Sequence, residues 1–396
     1  MRSMFIIKKI FHRILEKLLR CFYSFANGVD ESLILFEGRP DYADNPKALC
    51  EYILSNERLN KKYKIRYLVH DYDKIISLYP ERKDLFLPYN NKYKCMPMQS
   101  LKAVYFAKYT FASHDFSLPY EKYKCGQKHI LLWHGCGYKA SSNNDGKRFF
   151  DLALVPGPLF VATKAKFWNT SLDYICPVGY PRYDWLQHPS DNARYFMNKI
   201  KKDFDKAIIW MPTFRNSKAG VDYAENKITA FPLLGNDDAW KALDLFCKER
   251  NVLLIIKLHM SQKSYSVNFK NFSNIVNITN EDFENEKINM YECLCCTDAL
   301  ISDYSSISID YLVLDKPIAF ALDDYELYKG LRGFVFQDPL KYMPGHHLYN
   351  FNDLMNFIDD VKAGEDAYKD ARDQMKKEAI SMSANFCQRL CSILGV

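Results

Sequence analysis

The sequence lacks a long uninterrupted apolar run, so no transmembrane helix is predicted. It also lacks an apolar core followed by a small-residue cleavage site near its start, so no secretory signal peptide is predicted. Internal repeats and low-complexity tracts are missing as well, which argues against repeat and disordered classes. What remains is a chain of 396 residues, 48% of them hydrophobic. Such a chain can bury two hydrophobic cores, and two domains are predicted.

Most of the chain also lacks an excess of charge of one sign. The formal net charge is +6 at pH 7, but the first 25 residues hold six basic residues and one acidic residue, a net charge of +5. The remainder is therefore close to neutral, which argues against a general nucleic-acid surface.

Cysteine is present without the spacing of a disulfide module. The 12 cysteines are scattered along a long chain, a distribution that favours buried reduced thiols. Cys293 and Cys296 form a C-x-x-C pair, but no second ligand pair follows at a zinc spacing. We expect both residues to lie in a helix as part of the core, and no metal ligand is predicted.

Residues 4–25 predict a basic amphipathic helix, which we assign to residues 1–28. Apolar residues recur there at three- and four-residue spacing and basic residues fill the other face. The apolar residues are Phe5, Ile6, Ile10, Phe11, Ile14, Leu15, Leu18, Leu19 and Phe22. Such a helix is typical of a segment that lies on an anionic membrane surface. The alternative is a helix packed on its own domain.

From residue 32 the sequence alternates between short apolar segments and helical segments, which predicts parallel sheets built from βαβ units. The predicted strands are 33–36, 64–69, 109–113, 129–133, 152–155, 175–179, 207–211, 252–257, 274–277, 299–301 and 316–320. The polar residues 183–204 are predicted to connect two such domains, an N-terminal domain over residues 29–190 and a C-terminal domain over residues 191–396.

Polar residues cluster at the ends of four predicted strands, where open α/β sheets bind ligands. The clusters are Trp133–Gly135, Pro212–Arg215, Lys257–His259 and Asp303–Ser306. The last one joins a strand to a helix, so its serine hydroxyls and backbone N–H groups could hold a phosphate, although an ordinary helix cap is the alternative. A neutral imidazole facing it could deprotonate a hydroxyl, and the cations could offset charge on a phosphoryl group.

These clusters belong to a longer series of motifs in a fixed order. The series is Phe36–Glu37, Asp44–Leu49, Trp133–Gly135, Gly179–Arg182, Pro212–Arg215, Ile256–His259, Asp303–Ser306 and Arg332–Phe334. With it, residues 30–375 of the chain resemble the CDP-glycerol glycerophosphotransferase family, which includes primases and polymerases of teichoic acid and of related capsular polymers. The resemblance implies a GT-B-like fold, in which two Rossmann-type domains face a cleft and the C-terminal domain holds most of the nucleotide.

The resemblance also implies a reaction and the residues that perform it. An acceptor hydroxyl attacks the β-phosphate of CDP-glycerol or another CDP-polyol, which releases CMP and forms a phosphodiester. By motif, His134 is the general base on the acceptor hydroxyl, His259 contacts the donor phosphates, and the pair Ser305 and Ser306 cradles them. The other residues expected to line the donor site are Thr213, Arg215, Lys257, Asp303 and Arg332.

No cofactor is expected, because the step needs a base, charge neutralisation and alignment. The sequence does not decide whether a magnesium ion binds to the pyrophosphate. The implied partners are a lipid-linked or glycan acceptor and an anionic membrane surface, with a peripheral location at the cytoplasmic face of the cell membrane. The identity of the polyol and the number of units added also stay open. Two alternatives remain, a GT-B nucleotide-sugar glycosyltransferase or epimerase and a non-catalytic membrane-associated scaffold.

Two of the motifs depart from the family pattern. Cys136–Gly137 replaces the usual Thr-Pro after the first histidine motif, although Lys139 is kept, and Leu258 and Met260 each stand in place of a proline around the second histidine. Because of the first change, the sequence does not identify the acceptor or the donor polyol. A Cys136 nucleophile is disfavoured, because no residue that would orient a Cys–His pair can be placed.

Overall fold

The computed structural model describes residues 2–118, 123–140, 149–213, 231–258, 267–381 and 383–396. Two sheets form the framework of this part of the chain. The strands of the first sheet are β1 (Asp30–Glu37), β2 (Lys64–Val69), β3 (Phe86–Pro88), β4 (Ala107–Ala112), β5 (Lys128–Leu131), β6 (Leu152–Val155) and β7 (Ile175–Pro177). Those of the second are β8 (Lys206–Trp210), β9 (Val252–Ile256), β10 (Ile275–Asn277), β11 (Ala299–Ser302), β12 (Ile318–Ala321) and β13 (His346–Leu348).

Both sheets are parallel and doubly wound. Their strand orders are β3-β2-β1-β4-β5-β6-β7 and β10-β9-β8-β11-β12-β13. The order reverses between β1 and β4 in the first sheet and between β8 and β11 in the second, and ligands bind at such switch points. Every residue of β9 and β11 is buried, because helices cover both faces of a parallel sheet and favour continuous apolar runs. This arrangement confirms the predicted fold.

Helices flank the two sheets. They are α1 (Arg2–Phe25), α2 (Asp44–Ser55), α3 (Glu57–Lys62), α4 (Tyr72–Leu78), α5 (Met98–Phe106), α6 (Val161–Phe167), α7 (Tyr183–Gln187), α8 (Asp191–Lys201), α9 (Asp237–Glu249), α10 (Asn280–Asn285), α11 (Met290–Leu294), α12 (Ile307–Tyr311), α13 (Tyr325–Leu331), α14 (Phe351–Ala363), α15 (Lys369–Ala379) and α16 (Phe386–Leu394). Polar caps fix several starts; Ser190, for example, accepts the N–H of Ala193 at the start of α8. Among the described residues, no helix is both long and apolar enough to cross a bilayer.

The connection between the sheets is helical. Residues 183–204 include α7 and α8, and the Tyr183 side chain is fully buried. The last helix, α16, returns to this region: the Phe386 ring lies 5.2 Å from the Tyr183 ring, and the N–H groups of Phe386 and Cys387 donate to Asp184. The end of the chain therefore packs on residues that precede the second sheet. The limits of the two domains stay a prediction.

Candidate active site between the two sheets

The loop that follows β5 holds His134 in an unusual backbone conformation. Trp133 has φ of 57°, a left-handed value that is rare for a bulky residue, and Gly135 has φ of 144°. The Asn45 amide, at the start of α2, donates to the carbonyl of Trp133 at 2.8 Å. The segment from His134 onward therefore leaves the first sheet in a direction fixed by a buried side chain of α2.

The His134 ring is held as a neutral base. Its Nδ1 lies 3.3 Å from the carbonyl oxygen of Ser113. A carbonyl can only accept, so Nδ1 carries the proton and Nε2 keeps its lone pair. Desolvation by the surrounding protein, together with neighbouring His114 and Arg182, lowers the pKa of His134 to about 4. The ring is therefore neutral at pH 7 and can accept a proton.

His114, which the sequence analysis did not single out, stacks on His134. The two ring centroids are 4.3 Å apart and the rings are nearly parallel, at 8°. The Ser113 hydroxyl is hydrogen-bonded to His114 Nδ1 at 2.9 Å and accepts the N–H of Arg39. His114 follows β4, next to the switch point of the first sheet. Its place directly after the predicted strand 109–113 was the signal that could have found it.

On the donor side, Asp303 organises the turn after β11. It is fully buried and accepts the N–H of Thr213 at 2.7 Å, the Thr213 hydroxyl, and the N–H of Ser305 at 3.2 Å. Asp303 thus joins the carboxyl ends of β8 and β11 at the switch point of the second sheet. The structure brings these predicted residues together, with Asp303 shaping the turn that carries the two serines.

The turn that contains Ser305 and Ser306 lies directly against the His134 loop. A Cβ atom built on Gly135 would lie 2.6 Å from the Ser306 hydroxyl oxygen, and one built on Gly137 would lie 3.0 Å from the Ser306 backbone nitrogen. At Gly135, where φ is also in the left-handed region, this approach favours a residue without a side chain. The structure therefore places the proposed base and the proposed phosphate cradle side by side.

Lys257 and Arg332 differ in their surroundings. Lys257 follows β9, is 6% exposed, and donates from Nζ to the carbonyl of Leu258 at 2.9 Å. Burial lowers the pKa of its ammonium group to about 8. Arg332 lies exposed at the end of α13. Two predicted site residues, Arg215 and His259, fall outside the described residues.

Cys136 lies in the core and away from any nucleophilic position. It is 1% exposed, its Sγ lies 3.3 Å from the Tyr180 hydroxyl, and desolvation raises the pKa of its thiol. A buried thiol with a raised pKa is a poor nucleophile. Within the described part of the chain, no group of three His, Cys, Asp or Glu side chains is placed to hold a metal ion. The absence of a cofactor stays a prediction.

Comparisons with known proteins identify the family. The family model of CDP-glycerol:poly(glycerophosphate) glycerophosphotransferases matches residues 19–391. The teichoic acid poly(glycerol phosphate) polymerase of Bacillus spizizenii is 27% identical over 368 residues, 84% of each chain. The ribitol-phosphate polymerase TarL of Staphylococcus aureus is 26% identical over 277 residues, 64% of this chain and 46% of the relative.

Among solved structures, a variant of the wall teichoic acid polymerase TagF soaked with CDPG superposes with a TM-score of 0.71. It is 19% identical and covers 99% of this chain and 97% of that chain. This match supports the predicted GT-B-like fold, and the family match confirms the predicted glycerophosphotransferase function in teichoic acid biosynthesis. The family model spans well over half of the sequence, and the chain belongs to the CDP-glycerol:poly(glycerophosphate) glycerophosphotransferase family.

Proposed function

We propose that this chain transfers a polyol phosphate from a CDP-polyol, with CDP-glycerol as the first candidate, to a hydroxyl of a membrane-held acceptor. The observation that carries the proposal is the contact between the His134 loop and the Ser305–Ser306 turn. It brings the loop that carries a neutral imidazole against the turn that carries two serine hydroxyls, at the switch point of the second sheet. A phosphoryl transfer that has no covalent intermediate needs this pairing of base and phosphate site.

In the proposed step, Nε2 of His134 accepts the proton of the acceptor hydroxyl while the hydroxyl oxygen attacks the β-phosphorus. A phosphodiester bond to the acceptor forms, the bond between the β-phosphorus and the bridging oxygen breaks, and CMP leaves with that oxygen. The hydroxyls of Ser305 and Ser306 hold the donor phosphates. Lys257, at the end of β9, offsets the negative charge of these phosphates. Arg215 and His259 are proposed to contact the same phosphates, as the family motif implies.

The N-terminal helix α1 supports a membrane location, because most of its apolar side chains are not used for packing. The helix contacts the first half of the chain through Lys9, His12, Glu16, Leu19, Arg20 and Tyr23, which are half-buried or buried. The His12 ring stacks on Tyr93 with centroids 4.4 Å apart. A helix that packs mostly through polar residues leaves most of its apolar side chains for another partner.

The opposite side of α1 is both apolar and exposed. Its exposed apolar residues are Ile6, Ile7, Ile10, Phe11, Ile14, Leu15, Leu18, Phe22 and Phe25. Lys8, Arg13 and Lys17 are exposed as well. Apolar side chains with basic neighbours are complementary to the interface of an anionic leaflet. We therefore propose a peripheral location at the cytoplasmic face of the membrane, where a lipid-linked acceptor is held.

The test is CMP release by the purified protein with CDP-glycerol, CDP-ribitol and several UDP-sugars, each with a lipid-linked or oligosaccharide acceptor. We expect CMP from one CDP-polyol, and we expect His134→Ala to abolish release while donor binding persists. Turnover with a UDP-sugar alone would contradict the proposal and favour a glycosyltransferase. Unchanged CMP release by His134→Ala would remove this residue from the role of base.

A further inference from the structure

We propose that Arg182 is a positioning residue that holds the His134 loop at a fixed place relative to the Ser305–Ser306 turn. This inference rests on the proposed function, since it assigns a role in the same transfer. Arg182 is 2% exposed, and its guanidinium donates to three oxygens. They are Asp44 Oδ1 at 2.6 Å, the carbonyl of His134 at 3.0 Å and Asp310 Oδ2 at 2.6 Å.

The three oxygens come from three different parts of the site. Asp44 begins α2, next to Asn45, and His134 carries the proposed base. Asp310 lies in α12, the helix that directly follows the serine turn. One planar guanidinium therefore joins the base loop to the element that carries the phosphate cradle. Its fork of N–H donors suits this task, whereas an ammonium group is a point charge without fixed donor directions.

Asp310, the partner of Arg182 on the donor side, is itself held in place by further hydrogen bonds. It is fully buried, and besides Arg182 it accepts the hydroxyls of Tyr183 at 2.5 Å and Tyr291 at 2.8 Å. Burial alone would lower the pKa of Arg182, but Asp310 and Asp44 hold it well above its ordinary value. The guanidinium therefore stays charged, and removing it alone would leave the Asp310 carboxylate buried without its cationic partner.

The His134 loop needs such support because its backbone is strained. Asn45 donates to the carbonyls of Leu132 and Trp133, and Arg182 donates to the next carbonyl, that of His134. Asn45 in turn accepts the backbone N–H of Arg182 at 3.2 Å. A left-handed Trp133 persists only where its surroundings over-determine the backbone. Three consecutive carbonyls held by two linked side chains meet that condition.

Beyond His134 the chain is attached to the donor half. The Ser308 hydroxyl donates to the Tyr138 hydroxyl at 3.3 Å, the N–H of Val335 donates to the carbonyl of Tyr138 at 2.8 Å, and the N–H of Ala140 donates to the carbonyl of Gly333. The segment from His134 to Ala140 is thus held at its far end by the donor half, and Arg182 holds its beginning, where the base lies. Loss of Arg182 should displace Nε2 of His134 while Ser305, Ser306 and Lys257 keep their places.

The test compares Arg182→Lys and the double variant Arg182→Gln/Asp310→Asn with a matched control. The double variant removes both charges of the pair, so that neither is left buried alone. The control is Arg372→Gln/Asp366→Asn. Arg372 is also 2% exposed and bonds Asp366, but it belongs to α15. The measurements are kcat and KM for CMP release, donor binding by calorimetry, and Tm.

We expect the Arg182 variants to lower kcat about 100-fold, the cost of a displacement of about 1 Å, with the donor Kd changed less than threefold. The groups that set the charge around His134 are His114, Asp44 and Arg182. Losing the cation should therefore move the acid limb of kcat/KM to higher pH in the double variant. The control should lower Tm and leave kcat and this limb unchanged.

Different failures point to different conclusions. If the native enzyme turns over and the folded Arg182 variants keep kcat within threefold, this inference is wrong and the proposed function stands. An equal loss of kcat in the Arg372 control would also overturn the inference, because it would reduce the effect to general destabilisation. A native enzyme that releases no CMP from any CDP-polyol would overturn the proposed function and the inference together.

Discussion

At His134, the protonation state of one imidazole sets the acid limit of the reaction. The proposed base acts when deprotonated, and its pKa is lowered to about 4. Lowering the pKa keeps the ring deprotonated to a lower pH, so kcat/KM should stay flat from pH 8 to well below the ordinary histidine pKa of about 6.5. A pH–rate profile from pH 4.5 to 8 checks this, with a donor-binding profile as the control for effects on the substrate.

The stacked His114 provides a second variant for the same profile. Repulsion from its ring contributes to the lowered pKa of His134, so His114→Asn should move the acid limb upward. A native acid limb at or above pH 6.5 would contradict the lowered pKa. An unchanged limb in His114→Asn would show that desolvation alone sets it.

Single residues differed in how far the sequence could reveal them. The positions of His134, Ser305 and Ser306 after strands could be predicted because each follows an apolar run, and their roles stay predictions. The ion pair between Arg182 and Asp310 could not be predicted, because the two residues are 128 positions apart and only the fold brings them together. Asp303 was predicted to line the donor site, and only the structure shows its oxygens turned toward Thr213 and the N–H of Ser305.

At the scale of elements, most strands were predictable, including the edge strands β7 and β10. β2 and β6 have the predicted limits, and β6 is the kind of continuous apolar run that marks a strand covered on both faces. β3 and β13, each at one edge of its sheet, were missed. Each has three residues, and β3 ends in proline while β13 begins with two histidines. Strands of three residues that contain proline or histidine carry little pattern of their own and are specified by pairing with a neighbour.

The contact between the His134 loop and the serine turn makes a prediction about glycine. Gly135→Ala would place a methyl group 2.6 Å from the Ser306 hydroxyl at a φ of 144°, and Gly137→Ala would place one 3.0 Å from the Ser306 backbone. We expect both variants to lose CMP release at least about 10²-fold, because either the loop or the cradle must move.

Gly330→Ala is the matched control for the two loop glycines. Gly330 lies in α13 and a Cβ there meets nothing within 4 Å, so this variant should keep kcat and gain up to about 1 kcal/mol of stability. CMP release and Tm are measured for all three variants. Native kcat in Gly135→Ala would show that the loop and the cradle are not in the contact described here.

At the scale of the whole molecule, the two doubly wound sheets could be predicted because alternation of strand and helix leaves few topologies. The return of α16 to the first half could not be predicted. Its docking depends on Asp184, which accepts the N–H groups of Phe386 and Cys387 some 200 residues later. Pairings at that separation leave no periodic signal in the sequence.

The exposed face of α1 predicts that the whole molecule binds anionic membranes. Ile14→Ser/Leu18→Ser should weaken flotation with phosphatidylglycerol vesicles at least about 10-fold, since each side chain loses part of a transfer free energy of about 1.5–3 kcal/mol. Arg13→Gln/Lys17→Gln should weaken it roughly 30-fold, at about 1 kcal/mol per charge, with little change on phosphatidylcholine vesicles.

Leu245→Ser is the control, because Leu245 is equally exposed, at 58%, on α9. All variants should keep native CMP release with a soluble acceptor, since α1 lies outside the site. Equal vesicle binding by the native protein and the Ile14→Ser/Leu18→Ser variant would show that the apolar face of α1 serves another partner.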